Sequence, residues 1–283
     1  MYDDDHDDDG RFRGRRRRRP SGRARVRDLQ EGQETDAGLA LLRERGVVGE
    51  VVRELASGKE ADVVLAEGRD GPLALKIYRD PDAGGFRPDA IYLDGRRLPR
   101  GRLRKVLDRG ARSGLSTDLA LWVLHEVTTL WALHGAGVPV PLPAVGPGAR
   151  EILEAGRVVP MAFLGDAGGV PAPRLSDAEL TDDEAADAWR QTVEAATGML
   201  RAGFVHGDLS TWNLLWHEGR VVVIDVPQAV RIDASRHAAE LLARDARSLA
   251  DSVRPWGLEV DAEALERELR RGAGLPERGP LTL

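Results

Sequence analysis

His206-Gly-Asp-Leu-Ser-Thr-Trp-Asn213 is followed twelve residues later by Asp225, which closes the apolar run Val221-Val-Val-Ile224 and leads into Val226-Pro-Gln228. These two short polar motifs bracket a predicted hairpin, with arms Leu214 to Trp216 and Val221 to Val226 around His217 to Arg220. Asp208 and Asn213 stand five apart on a loop and can face one site. There a carboxylate can orient a hydroxyl and accept its proton while the amide oxygen holds a divalent cation. Asp225, at the end of an apolar strand, supplies the second metal ligand. Phosphoryl transfer needs this arrangement, because the metal must neutralise phosphate oxygens while the acceptor is held in line. Taken singly, an Asp and an Asn in a loop are turn formers and a strand-terminal Asp is a cap. The joint spacing, with His and Gly before the first Asp, points to catalysis, and His206 is assigned to shaping the loop.

Outward from this segment, composition narrows the chemistry. The 283 residues are 42% hydrophobic, enough to bury a substantial core. There is no cysteine, so thiolate nucleophiles, disulfides and thiolate metal sites are excluded. The chain holds 38 arginines against three lysines (Lys59, Lys76, Lys105), and Asn213 is its single asparagine. In a sequence that avoids Lys and Asn, those retained inside motifs are candidates for chemical necessity. No apolar run is long enough to cross a bilayer and the amino terminus lacks an apolar signal stretch, so no membrane contact and a cytoplasmic location are expected. The net charge of -6 conceals a local asymmetry, with Asp3 to Asp9 nearly all aspartate and ten arginines between Arg11 and Arg27. Residues 1–35 are expected to be a disordered tail. Its arginine run reads either as an RNA or ribosome contact, through neutralised phosphates, or as a solvated segment balanced by the aspartates.

The first half of the sequence alternates. A helix is expected over Asp36 to Arg45, then strands at Val47 to Glu54, Ala61 to Ala66 and Leu73 to Tyr78, the last two joined by a turn at Gly68 to Gly71. Residues 80–113 lack sustained periodicity and read as a flexible loop. Ser116 can cap a helix over Thr117 to His134, ended by Gly135, with Leu119, Trp122, Val123, Val127 and Leu130 on one face. Glu126 lies within that apolar stripe, which predicts a buried cation to meet it. Lys76, flanked by apolar strand residues, is the expected partner. A strand at Val158 to Leu164, a helix at Asp182 to Ala202, and helices near Ser235 to Ser252 and Ala262 to Arg271 complete the pattern. A β-rich first part and an α-rich second part imply two lobes with a cleft between them.

With these motifs in hand, the chain resembles the kinase-like superfamily, whose catalytic loop has a His-x-Asp-x-x-x-x-Asn pattern. His206-Gly-Asp208 is shared by RIO kinases and by small-molecule kinases similar to aminoglycoside and choline phosphotransferases. Ser57-Gly-Lys-Glu-Ala-Asp-Val63 resembles the Ser/Thr-Gly-Lys-Glu-Ala signature of RIO kinases, and Lys-Ile-Tyr-Arg79 with Ile-Asp-Val-Pro-Gln228 is similar to the first RIO subfamily. A Walker reading of Gly58-Lys59 fails, since the earlier Gly and the following Ser/Thr are absent. The resemblance implies an α+β, bilobal protein-kinase-like fold, with residues 36–164 as a small β-rich amino-terminal lobe and 165–283 as an α-rich carboxyl-terminal lobe.

The resemblance also implies roles. ATP and Mg2+ are the cofactors, with Mn2+ as a substitute. Ser57, Gly58, Lys59 and Glu60 form the phosphate-cradling turn, Lys76 contacts phosphates and pairs with Glu126, and Met161 and Phe163 lie at the adenine hinge. Asp208 orients the acceptor, and Asn213 and Asp225 hold metal. Departures are Pro160-Met161-Ala162 at the hinge, where an apolar-Met-Glu pattern is usual, and Pro227 where Ser is frequent. The hinge proline removes one N–H donor. The implied activity is a serine/threonine protein kinase with autophosphorylation, for which Ser113, Ser116 and Thr117 are candidate acceptors, and the protein substrate is unassigned. An ATPase switch in ribosome or ribonucleoprotein assembly, with Asp225 accepting phosphate, is the first alternative. A small-molecule phosphotransferase and a binding module with a degenerate site are the others.

Overall fold

The computed structural model describes residues 36–79 and 115–282. Expectations placed on the tail, its arginine run, the loop 80–113 and Ser113 lie outside the described residues.

Strands β1 (Val48–Ser57), β2 (Ala61–Gly68) and β3 (Leu73–Tyr78) form an antiparallel meander, and β4 (Val158–Ala162) joins it beside β3, giving the order β1-β2-β3-β4. β1 runs three residues past the expected end because register shifts absorb its irregular pattern of buried positions. On β3 the two-residue period puts Leu73, Leu75 and Ile77 on one buried face, and Lys76 and Tyr78 together on the other. Helix α1 (Ala37–Glu44) is capped by Asp36, whose carboxylate accepts from the Leu39 N–H at 3.0 Å.

Helix α2 (Thr117–Gly135) begins at Ser116, which caps the Leu119 N–H. The helix takes in Gly135, and the left-handed residue that ends it is Gly137, at φ 78°. Its apolar stripe of Leu119, Trp122, Val123, Val127 and Leu130 is buried, and Glu126 within it is 2% exposed. A short helix, α3 (Ala149–Glu154), follows. At six residues it is too brief for periodicity to reveal.

β4 stops at Ala162, two residues before the expected Leu164: the Phe163 N–H still bonds Pro72 O in register (3.0 Å), but Pro72 has no N–H to return and the ladder ends there. Pro160 is accommodated by the ladder's alternation. Its carbonyl accepts from the Ala144 N–H (2.8 Å), so its missing donor faces the short segment at residues 142–144 and not β3. The expected loss of an N–H therefore falls on the edge of the sheet.

The second half is helical. Helix α4 (Asp182–Arg201) opens with a reciprocal Thr181–Glu184 capping box. With α5 (Ala238–Ser252) and α6 (Ala262–Gly272) it buries Ala188, Met199, Leu249 and Leu269. α5 starts three residues after the expected Ser235. The Ser235 hydroxyl instead accepts from the His237 N–H ahead of the helix. Strands β5 (Phe204–Val205) and β8 (Val230–Arg231) pair, and β6 (Leu214–His217) pairs with β7 (Arg220–Val223) through a two-residue turn with Glu218 and Gly219 at positive φ. β7 ends at Val223 and not at Val226: the Ile224 N–H still bonds Asn213 O in register (3.0 Å), and the left-handed φ of 61° at Asp225 then turns the chain out of the ladder. Among the described residues no helix is long and apolar enough to cross a membrane.

Candidate active site

The loop from β5 to β6 carries Asp208 and Asn213, and its shape has visible causes. Gly207 adopts φ 85°, a conformation that costs an L side chain about 1–2 kcal/mol, which accounts for glycine between His206 and Asp208. The buried Asp245 of α5 accepts from the N–H groups of Gly207 (2.8 Å) and Leu209 (2.9 Å), clamping the backbone on both sides of Asp208. His206, also buried, accepts from the Asp208 N–H at Nδ1 (3.3 Å) and turns Nε2 to Ile224 O (3.1 Å), the residue before Asp225. Both contacts are satisfied by the neutral ring with its proton on Nε2. The Asp208 side chain is left exposed. The Asn213 amide nitrogen donates to Asp208 O (2.8 Å) and Oδ2 (3.3 Å), which leaves its Oδ1 turned away from Asp208.

Facing this loop, Lys76 Nζ donates to Glu126 Oε1 and to Asp225 Oδ1, each at 2.7 Å. The Tyr78 hydroxyl donates to the other oxygen of Glu126, Oε2, at 2.5 Å. Strand β3, helix α2 and the segment after β7 thus meet at one ammonium. Burial, the largest single influence, would lower the pKa of Lys76, but Glu126, Tyr78 and Asp225 together outweigh it and the value lies well above the usual 10.5. Burial, then the charge of Glu126, raises Tyr78 well above its ordinary value, keeping it a donor. Asp225 is lowered, the Lys76 charge prevailing over burial, so it is an anion at neutral pH.

An exposed carboxylate and an amide oxygen are hard ligands. Magnesium is usually held by one or two carboxylates together with substrate phosphates and water, so Asn213 and Asp225 suit it. Among the described residues no cluster of three or more His, Asp or Glu side chains offers a different metal cage.

The loop between β1 and β2 departs from expectation. The Ser57 hydroxyl donates to Asp62 Oδ1 (2.7 Å) and accepts from Arg79 (2.9 Å), and the Gly58 N–H is bonded to Ala61 O (2.9 Å). Ser57 and Gly58 therefore shape the turn, and Lys59 stands exposed at its apex. The Glu60 carboxyl has a raised pKa, from partial desolvation first and then the charge of Asp225, with Lys76 opposing. At the hinge, the Phe163 N–H is committed to Pro72 and its ring lies against Gly165, where an added Cβ would come within 2.4 Å of it. Met161 is half-buried and pairs with Ala74.

Three further residues complete the site. Asp245 and Tyr78 lack any local motif. Arg174 lies over the exposed Trp212 ring at 5.7 Å and contributes to lowering Asp225. Segment 173–176 reaches this position by pairing with the hairpin, through Leu175 N to Leu214 O and Trp216 N to Pro173 O. An arginine in a Pro-rich connection carries no sequence signal. A cavity of about 490 Å³ between Val138, Gln191, Gly198 and Arg201 includes none of these groups, so chemistry and not volume locates the site.

The β-sheet half, the helical half and the loops that meet at Lys76 define the protein-kinase-like class of α+β folds. A family model described as "RIO domain" matches residues 66–265. The chain is 31% identical over 249 residues to the serine/threonine-protein kinase RIO1 of Caenorhabditis elegans, covering 87% of this chain and 46% of that protein. It is 34% identical over 213 residues to the RIO-type serine/threonine-protein kinase Rio1 of Haloferax volcanii, covering 75% of this chain and 66% of that one. The chain belongs to the RIO family. It spans less than half the length of the matched Caenorhabditis protein and of a RIO1 from Chaetomium thermophilum, at 46% and 41%. Among solved structures, the Rio2 kinase of Chaetomium thermophilum superposes with a TM-score of 0.56 at 20% identity, covering 84% of this chain and 68% of that one. A complex of the same kinase described as ADP/Mg2+-phosphoaspartate gives 0.53 at 21%, covering 79% and 61%. At such identities the likeness is one of fold.

Proposed function

We propose that this chain is a Mg-ATP-dependent serine/threonine protein kinase of RIO type. The observation that carries the reading is the exposed Asp208 carboxylate on a loop clamped by Asp245, next to Asn213 and to an Asp225 that Lys76 holds ionised. Lys76 neutralises phosphate charge, Asn213 and Asp225 hold Mg2+, and Asp208 orients the acceptor hydroxyl and takes its proton. Bound Mg2+ supplies charge neutralisation at the phosphate oxygens, and Mn2+ fits the same oxygen donors. At the hinge, the Leu164 N–H has no acceptor among the described residues and is the donor offered to an adenine edge.

The test is incubation with γ-labelled ATP and Mg2+, alone and with a basic protein acceptor, following label into protein and into free phosphate. Label on serine or threonine, absent in Asp208→Ala, is the expected result. Free phosphate or an acid-labile aspartyl phosphate alone overturns the protein-kinase reading in favour of an ATPase.

A further inference from the structure

We propose that Tyr78 is a positioning residue of the nucleotide site, its buried hydroxyl fixing Glu126 in the orientation that presents Lys76 to nucleotide phosphates. The inference rests on the kinase reading above and adds a residue to it.

The geometry is a fork. Each oxygen of Glu126 takes a different donor, Oε1 from Lys76 and Oε2 from Tyr78. Both donors sit two residues apart on one face of the same strand, so their separation is set by the pleat and not by loop conformation. A glutamate has three rotatable bonds. With a single donor the carboxylate can rotate and exchange oxygens, whereas two donors anchored to one strand leave it one arrangement. The Tyr78 ring adds a third restraint, since Lys76 Nζ lies 5.0 Å from its centroid. Lys76 is thereby bounded by Glu126, Asp225 and the ring.

Packing alone does not call for tyrosine here. The residue is 1% exposed, and a phenylalanine would fill the same ring volume without burying a hydroxyl. The hydroxyl is accommodated because it meets Glu126, which is itself 2% exposed and, without Tyr78, would keep one oxygen buried with one donor fewer.

The test compares ligands that do and do not carry phosphates. Affinities for a non-hydrolysable ATP analogue with Mg2+ and for adenosine are measured by calorimetry in the wild type and in Tyr78→Phe, alongside transfer rates. Loss of a hydrogen bond to a charged group predicts that the analogue binds about tenfold more weakly and transfer slows comparably, while adenosine affinity is unchanged. In a Glu126→Gln background the same substitution should add less than twofold, as expected for groups acting through one another. Parallel loss of adenosine and analogue affinity, or no change in either, overturns the proposal, because packing would then be the whole of the role. Where Tyr78→Phe does not fold, the wild-type sequence is labelled with 3-fluorotyrosine. The position-78 fluorine resonance should move on adding the analogue and stay still with adenosine, and a resonance indifferent to both overturns the inference. A wild type that binds no ATP analogue sinks the kinase reading itself, and the proposal with it.

Discussion

The two walls of the site are built in opposite ways. The loop from His206 to Asn213 holds its candidate functional groups within eight consecutive residues, and one distant group, Asp245, locks it from below. The facing wall has no such continuity. Lys76, Glu126 and Asp225 are separated by 50 and 149 positions from Lys76 and become neighbours only when the sheet, helix α2 and the segment after β7 close on each other. The first wall is therefore mostly a matter of backbone conformation, and the second of buried charge. Mutations should separate them: changes to the loop should act on the reaction, whereas changes to the ion cluster should act on stability as well.

The largest effect expected is on rate. Asp208→Ala removes an exposed side chain that nothing in the core needs, so phosphate transfer should fall on the order of 10³-fold, about 4 kcal/mol of barrier, while the melting temperature stays within a degree or two. A parallel collapse of both would erase the contrast. Glu126→Ala should do the reverse in proportion. It leaves the Lys76 ammonium with one buried partner fewer, and breaking a buried pair costs roughly 3–5 kcal/mol, readable as a shift of the denaturant midpoint. A shift under about 1 kcal/mol would mean that Asp225 and solvent suffice for Lys76.

Gly207→Ala sharpens the comparison from the loop side. A residue forced to φ 85° should cost about 1–2 kcal/mol and move Asp208, so activity should suffer more than stability. The smallest effect is on pH. Asp225 has a depressed pKa, so the stability it contributes is present above the ordinary aspartate value of 3.8 and is lost as the pH falls through the depressed one. Asp225→Asn should lower stability by a constant amount above about pH 4, and the two proteins should converge as the pH falls through the depressed value. A difference that varies with pH near neutrality would assign the titration to another group.

The elements legible in sequence were those with a long period or a special residue. Helix α2 showed its stripe and its cap, and the hairpin its apolar arms. Boundaries shifted where a partner strand or a backbone conformation ended the ladder. β4 ends opposite Pro72, which has no N–H to continue the ladder, and β7 ends where Asp225 takes a left-handed φ. Glu126 was conspicuous as a charge in an apolar stripe, but Tyr78 was not, because a tyrosine at a strand end is ordinary until something buried meets its hydroxyl. The Ser57 turn illustrates the converse. A serine and a glycine in a recognisable signature were expected to face phosphate, and the structure commits the hydroxyl to Asp62 and Arg79 and the Gly58 N–H to Ala61.

What the sequence by itself determined is the chemistry of the site and the order of its elements: oxygen and nitrogen groups only, two carboxylates and an amide at fixed spacing, a lysine on a strand and a glutamate on a helix. Those are properties of residue type and local period, which need no partner to be expressed. What only the tertiary structure decided is which group meets which. That Asp245 holds the loop, that Tyr78 and Lys76 share Glu126, and that Arg174 reaches Trp212 depend on contacts between segments 36 to 50 positions apart in the chain. No local propensity encodes them, because the bonds gain strength only after folding has removed the water that would otherwise compete for each group.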